Sequence, residues 1–270
     1  NLSAPDHQFV SAYMITFNNE RTVERALQSL DWVDEIVIVD SFSTDATVDI
    51  AKRYATRFEQ RTWPGFRDQY QYASDLCQYE WRLFIDADEE ISPRLAVEMQ
   101  AELKRNLERP EAARVSGYHG HRRTFYLGRW IMHGGWVPDH EIRLYHRDKG
   151  SWQGDLHAKV HVDGPEADLE HFYYHYTYAD ISDHIQTVNR YTTTAAEDMV
   201  RNGKRFSWLH LFGNPLLRFV KEYFLSGGFL DGMPGFIVAV NSMYYVFMKH
   251  AKLWEMQRVS TSEPPPGSQP

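Results

Sequence analysis

WRLFIDADEE, residues 81–90, is an apolar run that breaks into two aspartates one residue apart. Residues 81–85 have the length and composition of a buried strand, so the strand end brings Asp86 and Asp88 to the rim of a sheet. Hard divalent ions take oxygen ligands, and Mg²⁺ sites combine one or two carboxylates with substrate phosphates. The motif therefore favours a metal site that receives a nucleotide diphosphate, although short acidic pairs also occur in ordinary turns.

The chain before this motif alternates strand-like and helix-like runs. The strand-like runs are residues 9–17, 35–41, 57–63 and 81–86, and the helix-like runs are 22–30, 46–55 and 66–77. This alternation predicts right-handed crossover units around a mostly parallel sheet. Ligands of such sheets bind outside the carboxyl ends of the strands, and polar residues follow three of the predicted strands at 16–20, 40–45 and 86–88. We expect one crevice to collect all three.

Six segments in fixed order carry a family resemblance. They are ITFNNE (15–20), EIVIVDSFSTDAT (35–47), RTWPGFRDQ (61–69), LFIDADEEISP (83–93), FYLGRWIMHGGWVPDHEIRLY (125–145) and HYTYADISDHIQTVNRYTTTAAEDM (175–199). The chain resembles glycosyltransferase family 2, in the lipopolysaccharide core β-1,4-glucosyltransferase subgroup, over roughly residues 9–255. The resemblance implies an α/β GT-A fold, with a mostly parallel sheet flanked by helices, and an inverting transfer from a nucleotide sugar, with UDP-glucose as the expected donor.

The chemistry of the side chains and the resemblance together predict a donor site at the strand ends. Asp40 ends an apolar strand, where it could hydrogen-bond a uracil or a ribose, with a turn or helix cap as the alternative role. Gln69 lies one turn inside the helix after Gly65, where family members place donor contacts. The predicted donor-contacting residues are Thr16, Phe17, Asn18, Glu20, Asp40, Ser41, Gln69, Asp86 and Ala87.

The resemblance also implies a divalent metal, Mg²⁺ or Mn²⁺, held by Asp88 and Asp86. His157 is the third predicted ligand, since family members often have a His-Glu pair here, although Ala158 stands in place of the Glu. Three other positions depart from the family pattern. Tyr70 and Gln71 stand where Lys and Asn are expected, and Phe17 stands where Lys is common. These departures leave the details of donor binding open.

Asp139 is the predicted catalytic base. In an inverting transfer one base takes the proton of the acceptor hydroxyl while the anomeric carbon is attacked from the face opposite the leaving diphosphate. Glu141 is the rival candidate for the base. Alternatively, Asp139 is only a turn residue after Pro138. The preceding Gly134-Gly135-Trp136 offers an aromatic face for a sugar ring, or equally a tight packed turn. No glycosyl-enzyme intermediate is expected.

The chain of 270 residues, 43% of them hydrophobic, is long enough to bury a full core. The expected organisation is a loose N-terminus (1–8), a catalytic domain (9–178), a helical extension (179–258) and a flexible tail (259–270). Within the catalytic domain, residues 9–90 form the nucleotide-sugar half and 91–178 the acceptor half. The single Cys77 cannot form an intramolecular disulfide, and no signal-peptide pattern opens the sequence, so we expect a cytoplasmic protein.

Charge is distributed unevenly along the chain. Residues 201–258 contain eight Lys/Arg and three Asp/Glu, a net +5, whereas residues 1–200 carry a net −12. The basic part is also rich in aromatic residues, and its longest apolar run, 236–248, is shorter than the roughly 20 residues that span a bilayer. Two interpretations stay open: helices packed on the catalytic domain, or a surface that lies on the cytosolic face of the inner membrane.

The net charge of −8 argues against a nucleic-acid partner. The expected partners are a nucleotide sugar and a glycan or glycolipid acceptor. Two alternatives of other classes are a nucleotidyltransferase of related fold and a catalytically silent, membrane-associated nucleotide-sugar-binding protein. A nucleotidyltransferase normally has a glycine-rich phosphate loop after its first strand, and residues 16–20 contain no glycine. Any transfer or hydrolysis of a nucleotide sugar would exclude the silent binding protein.

Overall fold

Apolar strands separated by amphipathic helices build a protein of two compact units. The computed structural model describes residues 7–154 and 158–259. Unit 1 comprises Asn1–Phe125 and Pro138–Thr177, and unit 2 comprises Tyr126–Val137 and Tyr178–Pro270.

The strands are β1 (Val10–Thr16), β2 (Glu35–Asp40), β3 (Arg57–Gln60), β4 (Trp81–Phe84), β5 (Glu89–Ile91), β6 (Gly117–Tyr126), β7 (Arg129–Trp130), β8 (His140–His146), β9 (Gly150–Gln153), β10 (Lys159–Val162) and β11 (Glu166–His175). The helices are α1 (Val23–Gln28), α2 (Thr47–Tyr54), α3 (Phe66–Asp75), α4 (Pro93–Glu108), α5 (Ile181–Arg201), α6 (Trp208–Phe219) and α7 (Gly232–Arg258). The predicted alternation of strands and helices up to the aspartate pair is confirmed.

The main sheet has the strand order β3-β2-β1-β4-β8-β6-β11-β5. Its first four strands are parallel, as the alternation predicts, because each is reached through a helical crossover. Beyond β4 the sheet is mixed: β8 runs antiparallel to β4 and β6, and β11 runs parallel to β6. The small pair β9 and β10 forms a separate antiparallel sheet.

Alternate residues of the central strands belong to different hydrophobic clusters. Ala12 and Met14 of β1 lie in one cluster, and Tyr13 between them lies in the other. Since successive strand residues point to opposite faces, the sheet is covered on both sides. Helices α1 and α4 contribute to the first cluster and α3 to the second. Burial on both faces leaves the strand ends as the place where β1, β2 and β4 present polar groups.

A bulge in β8 re-aims one side chain. Tyr118 of β6 pairs with Leu144, but the next residue, His119, pairs with Ile142, so Arg143 is the extra residue in the ladder. The guanidinium of Arg143 is buried, with 1% of the residue exposed, and meets Glu89 from β5. The bulge thus places a buried cation beside the aspartate pair.

Unit 2 is built mainly from helices α5, α6 and α7. Helix α5 is capped by Asp180, whose side chain accepts a hydrogen bond from the Asp183 N–H at 2.8 Å. A π-helical turn, Val220–Leu225, and a short 3₁₀ turn, Gly228–Asp231, follow α6. Among the described residues no single helix is both long and apolar enough to cross a membrane, whereas the bent pair Trp208–Leu225 and Gly228–Arg258 has sufficient length and composition.

Candidate donor and metal site

The first two predicted loops of the crevice are hydrogen-bonded to each other. Asn18, which has φ of 52°, accepts a hydrogen bond from the Thr44 N–H through its side-chain oxygen at 2.8 Å. Glu20 accepts from the Ala46 N–H at 3.0 Å. These bonds join the ends of β1 and β2, whose final residues Thr16 and Asp40 are register partners. The structure therefore brings together the polar residues that follow β1 and β2, as their strand-end positions predict.

Asp40 is wholly buried and its carboxylate is used within the protein. It accepts hydrogen bonds from the Thr16 hydroxyl at 2.9 Å, from the Ser43 N–H at 2.8 Å and from the Gln60 amide at 3.0 Å. The residue thus acts as a cap for the turn after β2, the alternative role considered for it. Both oxygens of Asp40 therefore accept hydrogen bonds from within the protein.

Gln69 lies next to Ser41, as expected for one binding crevice. It is fully buried on α3, and its amide nitrogen donates to the Ser41 hydroxyl at 3.1 Å. Gly65, at φ of 122°, precedes this helix in a backbone conformation that favours glycine. By contrast, the Phe17 side chain is 58% exposed on the loop after β1. Phe17 therefore stands at the solvent edge of the grouped residues.

Asp86 is surrounded by groups that oppose its ionisation. Burial and, next, the negative charge of Glu89 raise the pKa of Asp86 to about 7, while Arg143 partly offsets them. The Tyr70 hydroxyl donates to Asp86 Oδ1 at 2.6 Å, and Arg143 Nη1 lies 4.0 Å from Oδ2. Burial and the neighbouring Glu89 therefore outweigh the stabilising contacts of Arg143 and Tyr70 with the Asp86 carboxylate.

Asp88 has the opposite balance because His175 and Arg122 face it. Burial alone would raise the pKa of Asp88, but the charge and hydrogen bond of His175, followed by the charge of Arg122, lower it below the usual value. His175 Nε2 lies 3.3 Å from Asp88 Oδ2, and its Nδ1 lies 3.3 Å from the Thr124 hydroxyl. His175 is not among the residues that the sequence predicts at this site.

The buried pair of Arg143 and Glu89 anchors this part of the site. Arg143 Nη1 donates to Glu89 Oε2 at 2.8 Å and Nη2 donates to Oε1 at 3.0 Å. Both residues are 1% exposed. Such a two-bond pair fixes the orientation of both side chains, because the planar fork matches the carboxylate. It sets the electrostatic surroundings of Asp86.

Asp139, the predicted base, is oriented by Arg122. Arg122 Nε donates to Asp139 Oδ2 at 2.8 Å, and Nη2 makes a second bond to the same oxygen. The same guanidinium lies 3.6 Å from Glu89 Oε1. Arg122 thus links the base candidate to the aspartate end of β4. The rival Glu141 instead faces Arg143 and Lys159, at 3.5 and 3.3 Å.

Tyr70 and Gln71, the two residues of α3 that depart from the family pattern, both contact Trp152. Tyr70 stacks on Trp152, with ring centroids 4.3 Å apart, while its hydroxyl reaches Asp86. The adjacent Gln71 accepts a hydrogen bond from the Trp152 N–H at 3.0 Å. In place of a cation at position 70, the chain has a neutral donor to Asp86, and burial raises the pKa of the Tyr70 hydroxyl well above its usual value.

Two other predictions have different outcomes. His157 lies outside the described residues. Gly134-Gly135-Trp136 forms a 3₁₀ turn in unit 2, where Trp136 packs against Tyr126 with ring centroids 5.5 Å apart. This is the packed-turn alternative considered for that segment.

A divalent cation fits the residues at the end of β4. Asp86 and Asp88 supply carboxylate oxygens, the preferred ligands of Mg²⁺ and Mn²⁺, and His175 supplies an imidazole beside Asp88. Burial is the main cause of the raised pKa of Asp86, with the charge of Glu89 next, and a bound cation would favour the ionised carboxylate. No local sequence motif marks His175 as a candidate ligand. Its position beside Asp88 depends on the pairing of β11 with β5 and β6.

Comparisons with known proteins identify the family of the chain. The model of "Glycosyl transferase family 2" matches residues 11–155, more than half of the chain. The lipopolysaccharide core biosynthesis glycosyltransferase LpsC of Rhizobium meliloti is 31% identical, covering 91% of this chain and 92% of LpsC. A glycosyltransferase of Rickettsia typhi is 30% identical, covering 92% and 87%. Among solved structures, S. aureus TarS 1-349 covers 95% of this chain and 93% of its own length, with a TM-score of 0.44 and 13% identity.

Proposed function

Because the chain belongs to glycosyltransferase family 2, and is a glycosyltransferase of GT-A fold, we propose that it moves a hexose from a UDP-sugar to a saccharide of the lipopolysaccharide core class with inversion. The observation that carries this proposal is the cluster of Asp86, Asp88, His175 and Arg122 at the crevice end of β4 and β11. UDP-glucose is the proposed donor. The acceptor class is supported by the likeness to LpsC.

In this proposal the donor lies across the ends of β1, β2 and β4. The loops after Thr16 and Asp40 bind the nucleoside, with Ser41 and Gln69 as neighbouring polar groups. Phe17, at the exposed edge of the loop, supplies an aromatic face for the nucleobase of the donor. The diphosphate points toward Asp88, since a hard cation is best held between carboxylates and phosphate oxygens.

Asp88, Asp86 and His175 would hold the Mg²⁺ or Mn²⁺ ion. When bound, this ion supplies charge neutralisation for the departing UDP. The chain itself supplies the remaining electrostatics: Arg143 and Glu89 fix the surroundings of Asp86, and the Tyr70 hydroxyl holds one of its oxygens. His175 is proposed as a ligand in addition to the predicted His157, which lies outside the described residues.

Asp139 is proposed as the base that accepts the proton of the acceptor hydroxyl. Arg122 directs two hydrogen bonds to Oδ2 of Asp139, which leaves Oδ1 as the oxygen outside this fork. A base held in this way keeps one fixed orientation, which is what direct displacement at the anomeric carbon needs. Glu141, held between Arg143 and Lys159, is less free to serve.

The test is a transfer assay with a panel of UDP-hexoses and delipidated lipopolysaccharide core as acceptor, with the anomeric configuration of the product read by NMR. We expect an inverted linkage, with one UDP-hexose preferred. Asp139→Asn should lower kcat by about 10²- to 10⁴-fold while UDP affinity stays unchanged, and Glu141→Gln is the matched control. Retention of configuration would overturn the mechanism. Full turnover by Asp139→Asn would overturn the assignment of the base.

We further propose that unit 2 contacts an anionic membrane, at the cytosolic face of the inner membrane. Its helix α6 and the turn after it expose many large apolar side chains, which defines the apolar surface of unit 2. These residues are Trp208, Leu209, Phe212, Leu216, Leu217, Val220, Phe224 and Leu225. Arg218 and Lys221 lie within the same segment. Exposed aromatics beside basic residues are typical of segments that lie in the bilayer interface.

A further inference from the structure

Three neighbouring strands of unit 1 bring metal-ligating side chains together away from the donor site. His119 lies on β6, His140 on β8 and Asp168 on β11, and these strands are adjacent in the sheet. One ligand atom from each of the three residues lies within 4.8 Å of the others. Asp168 and His119 are direct register partners, and His140 pairs with His121 two residues along β6. The sheet register therefore holds the group together.

His119 is held in one orientation by a carboxylate. Its Nε2 donates to Glu166 Oε2 at 2.7 Å. In the neutral ring this bond leaves the lone pair on Nδ1, and that nitrogen is buried without a hydrogen-bond partner among the described residues. One ring nitrogen fixed by a carboxylate and the other without a hydrogen-bond partner is the arrangement that metal-ligating histidines commonly have.

The group lies on the other face of the sheet from the donor site. Gly120, the residue after His119, faces the side chains of Arg143 and Tyr173. Successive strand residues point to opposite faces, so His119 points away from Arg143 and from the aspartate end of β4. An ion bound by His119 would therefore be distinct from one bound by Asp86 and Asp88.

We propose that His119, His140 and Asp168 bind a first-row transition-metal ion of the Zn²⁺ class. Two imidazoles and one carboxylate select such ions over Mg²⁺, whose preferred ligands are all oxygen. Ligand atoms of a tetrahedral Zn²⁺ lie roughly 3.4 Å apart. Rotation of the exposed His140 and Asp168 side chains would bring the three ligand atoms, which lie within 4.8 Å of one another, to this separation. The exposed side leaves a fourth position for water.

The ion would connect β8, β6 and β11 beside the base candidate, because His140 directly follows Asp139. It binds the folded protein, in which the three strands are paired, so it should raise thermal stability. This inference stands on the geometry of β6, β8 and β11 and does not rest on the proposed transfer reaction. The ion is proposed as a clamp on the sheet, not as a participant in chemistry.

Calorimetric titration with Zn²⁺ in millimolar Mg²⁺ tests the site. Every protein used in this titration and in the Co²⁺ spectra, including the one called wild type here, carries Asp88→Asn, so that the cluster of Asp86, Asp88 and His175 does not contribute. We expect one Zn²⁺ per chain in the wild type and an affinity lower by on the order of 10- to 100-fold in His140→Ala. The matched control is His146→Ala, which removes a half-buried histidine from the far end of the same strand. It should bind Zn²⁺ as the wild type does.

Co²⁺ provides a second readout that depends on the ligands. With the wild type we expect visible absorption bands typical of nitrogen-ligated Co²⁺, lost in His119→Ala and in His140→Ala but kept in His146→Ala. Circular dichroism of each variant establishes that it is folded. The proposal is overturned if the wild type binds no Zn²⁺ stoichiometrically, or if folded His140→Ala binds Zn²⁺ with wild-type affinity.

Discussion

The crevice of unit 1 and the apolar surface of unit 2 depart in opposite directions from the usual burial of charged and apolar residues. Unit 1 buries charge: Arg143 and Glu89 are each 1% exposed. Unit 2 exposes apolar surface: Leu209 is 75% exposed and Leu225 is 79% exposed. Charged residues are rarely fully buried in proteins, and large apolar patches are rarely exposed on their surfaces. Each therefore points to function, the first to chemistry and the second to a partner.

The two departures also differ in what stabilises them. Burying ions is costly unless each has a partner, and in unit 1 every step from Asp139 through Arg122 and Glu89 to Arg143 is an ion pair. The exposed side chains of α6 need no partner for the helix to form. Substitutions in unit 1 should therefore change activity or stability strongly, whereas substitutions on the surface of unit 2 should change binding alone.

Asp88→Asn should have the largest effect. Loss of the carboxylate removes the principal metal ligand, so initial rates of UDP release should fall by about 10³-fold or more. Thermal stability should fall modestly, because the folded protein favours the ionised Asp88 through His175 and Arg122. Asp148→Asn, with a side chain 72% exposed in the same unit, is the control and should keep the wild-type rate. A rate for Asp88→Asn within tenfold of wild type would end the metal assignment.

Arg143→Met should have the next largest effect, on stability. It removes both guanidinium hydrogen bonds from the buried Glu89 and leaves the longer ion pair with Arg122 at 3.6 Å, so it should cost about 3 kcal/mol of unfolding free energy. Urea unfolding followed by fluorescence measures this loss. Arg147→Met removes a surface arginine, 42% exposed, and should cost well under about 1 kcal/mol. Equal costs for the two variants would mean that unit 1 does not depend on its buried charge.

Much of unit 1 could be predicted from the sequence because it is encoded locally. Strands β1, β2 and β4 are continuous apolar runs, and their polar ends fall at the sheet rim, as Asp86 and Asp88 do. His175 and Arg143 could not be placed in this way. His175 reaches Asp88 through the pairing of β11 with β5, and Arg143 is buried only because β8 contains a bulge. Long-range register decides both positions, and no local pattern encodes it.

Leu217→Glu sharpens the comparison from the side of unit 2. Leu217 is 67% exposed on α6, so the charge should leave folding intact but weaken binding to vesicles rich in phosphatidylglycerol by about tenfold or more. Val97→Glu is a matched control, since Val97 is also 67% exposed but lies on α4 of unit 1. Sedimentation with vesicles measures both. Equal binding by the two variants, or none by wild type, would contradict the membrane proposal.

The smallest expected effect concerns His184 in unit 2. Burial lowers the pKa of His184 to about 4, below the value of about 6.5 in an unfolded chain. The unfolded state therefore takes up a proton first, so stability is complete above pH 6.5 and falls as pH drops toward 4. We expect a loss on the order of 1 kcal/mol after allowance for solvent screening.

His184→Gln tests this effect, because glutamine can still meet the Tyr126 hydroxyl, which lies 2.9 Å from His184 Nδ1. The variant should show a flatter dependence of Tm on pH between 6.5 and 4 than the wild type does. Parallel profiles for the two proteins would show that His184 does not titrate in this range. The pH dependence would then belong to other groups.

Thermal unfolding in Mn²⁺ with UDP, with ADP as the nucleotide control, is the most direct test that unit 1 binds a nucleotide sugar through its buried carboxylates. At 100 times its Kd, UDP should stabilise the wild type and Asp148→Asn by about 2.7 kcal/mol, and Asp88→Asn should show no such gain. The gain should vanish when Mn²⁺ is chelated. A wild type that UDP and Mn²⁺ do not stabilise, or an Asp88→Asn variant stabilised equally, would contradict the assignment of the donor site.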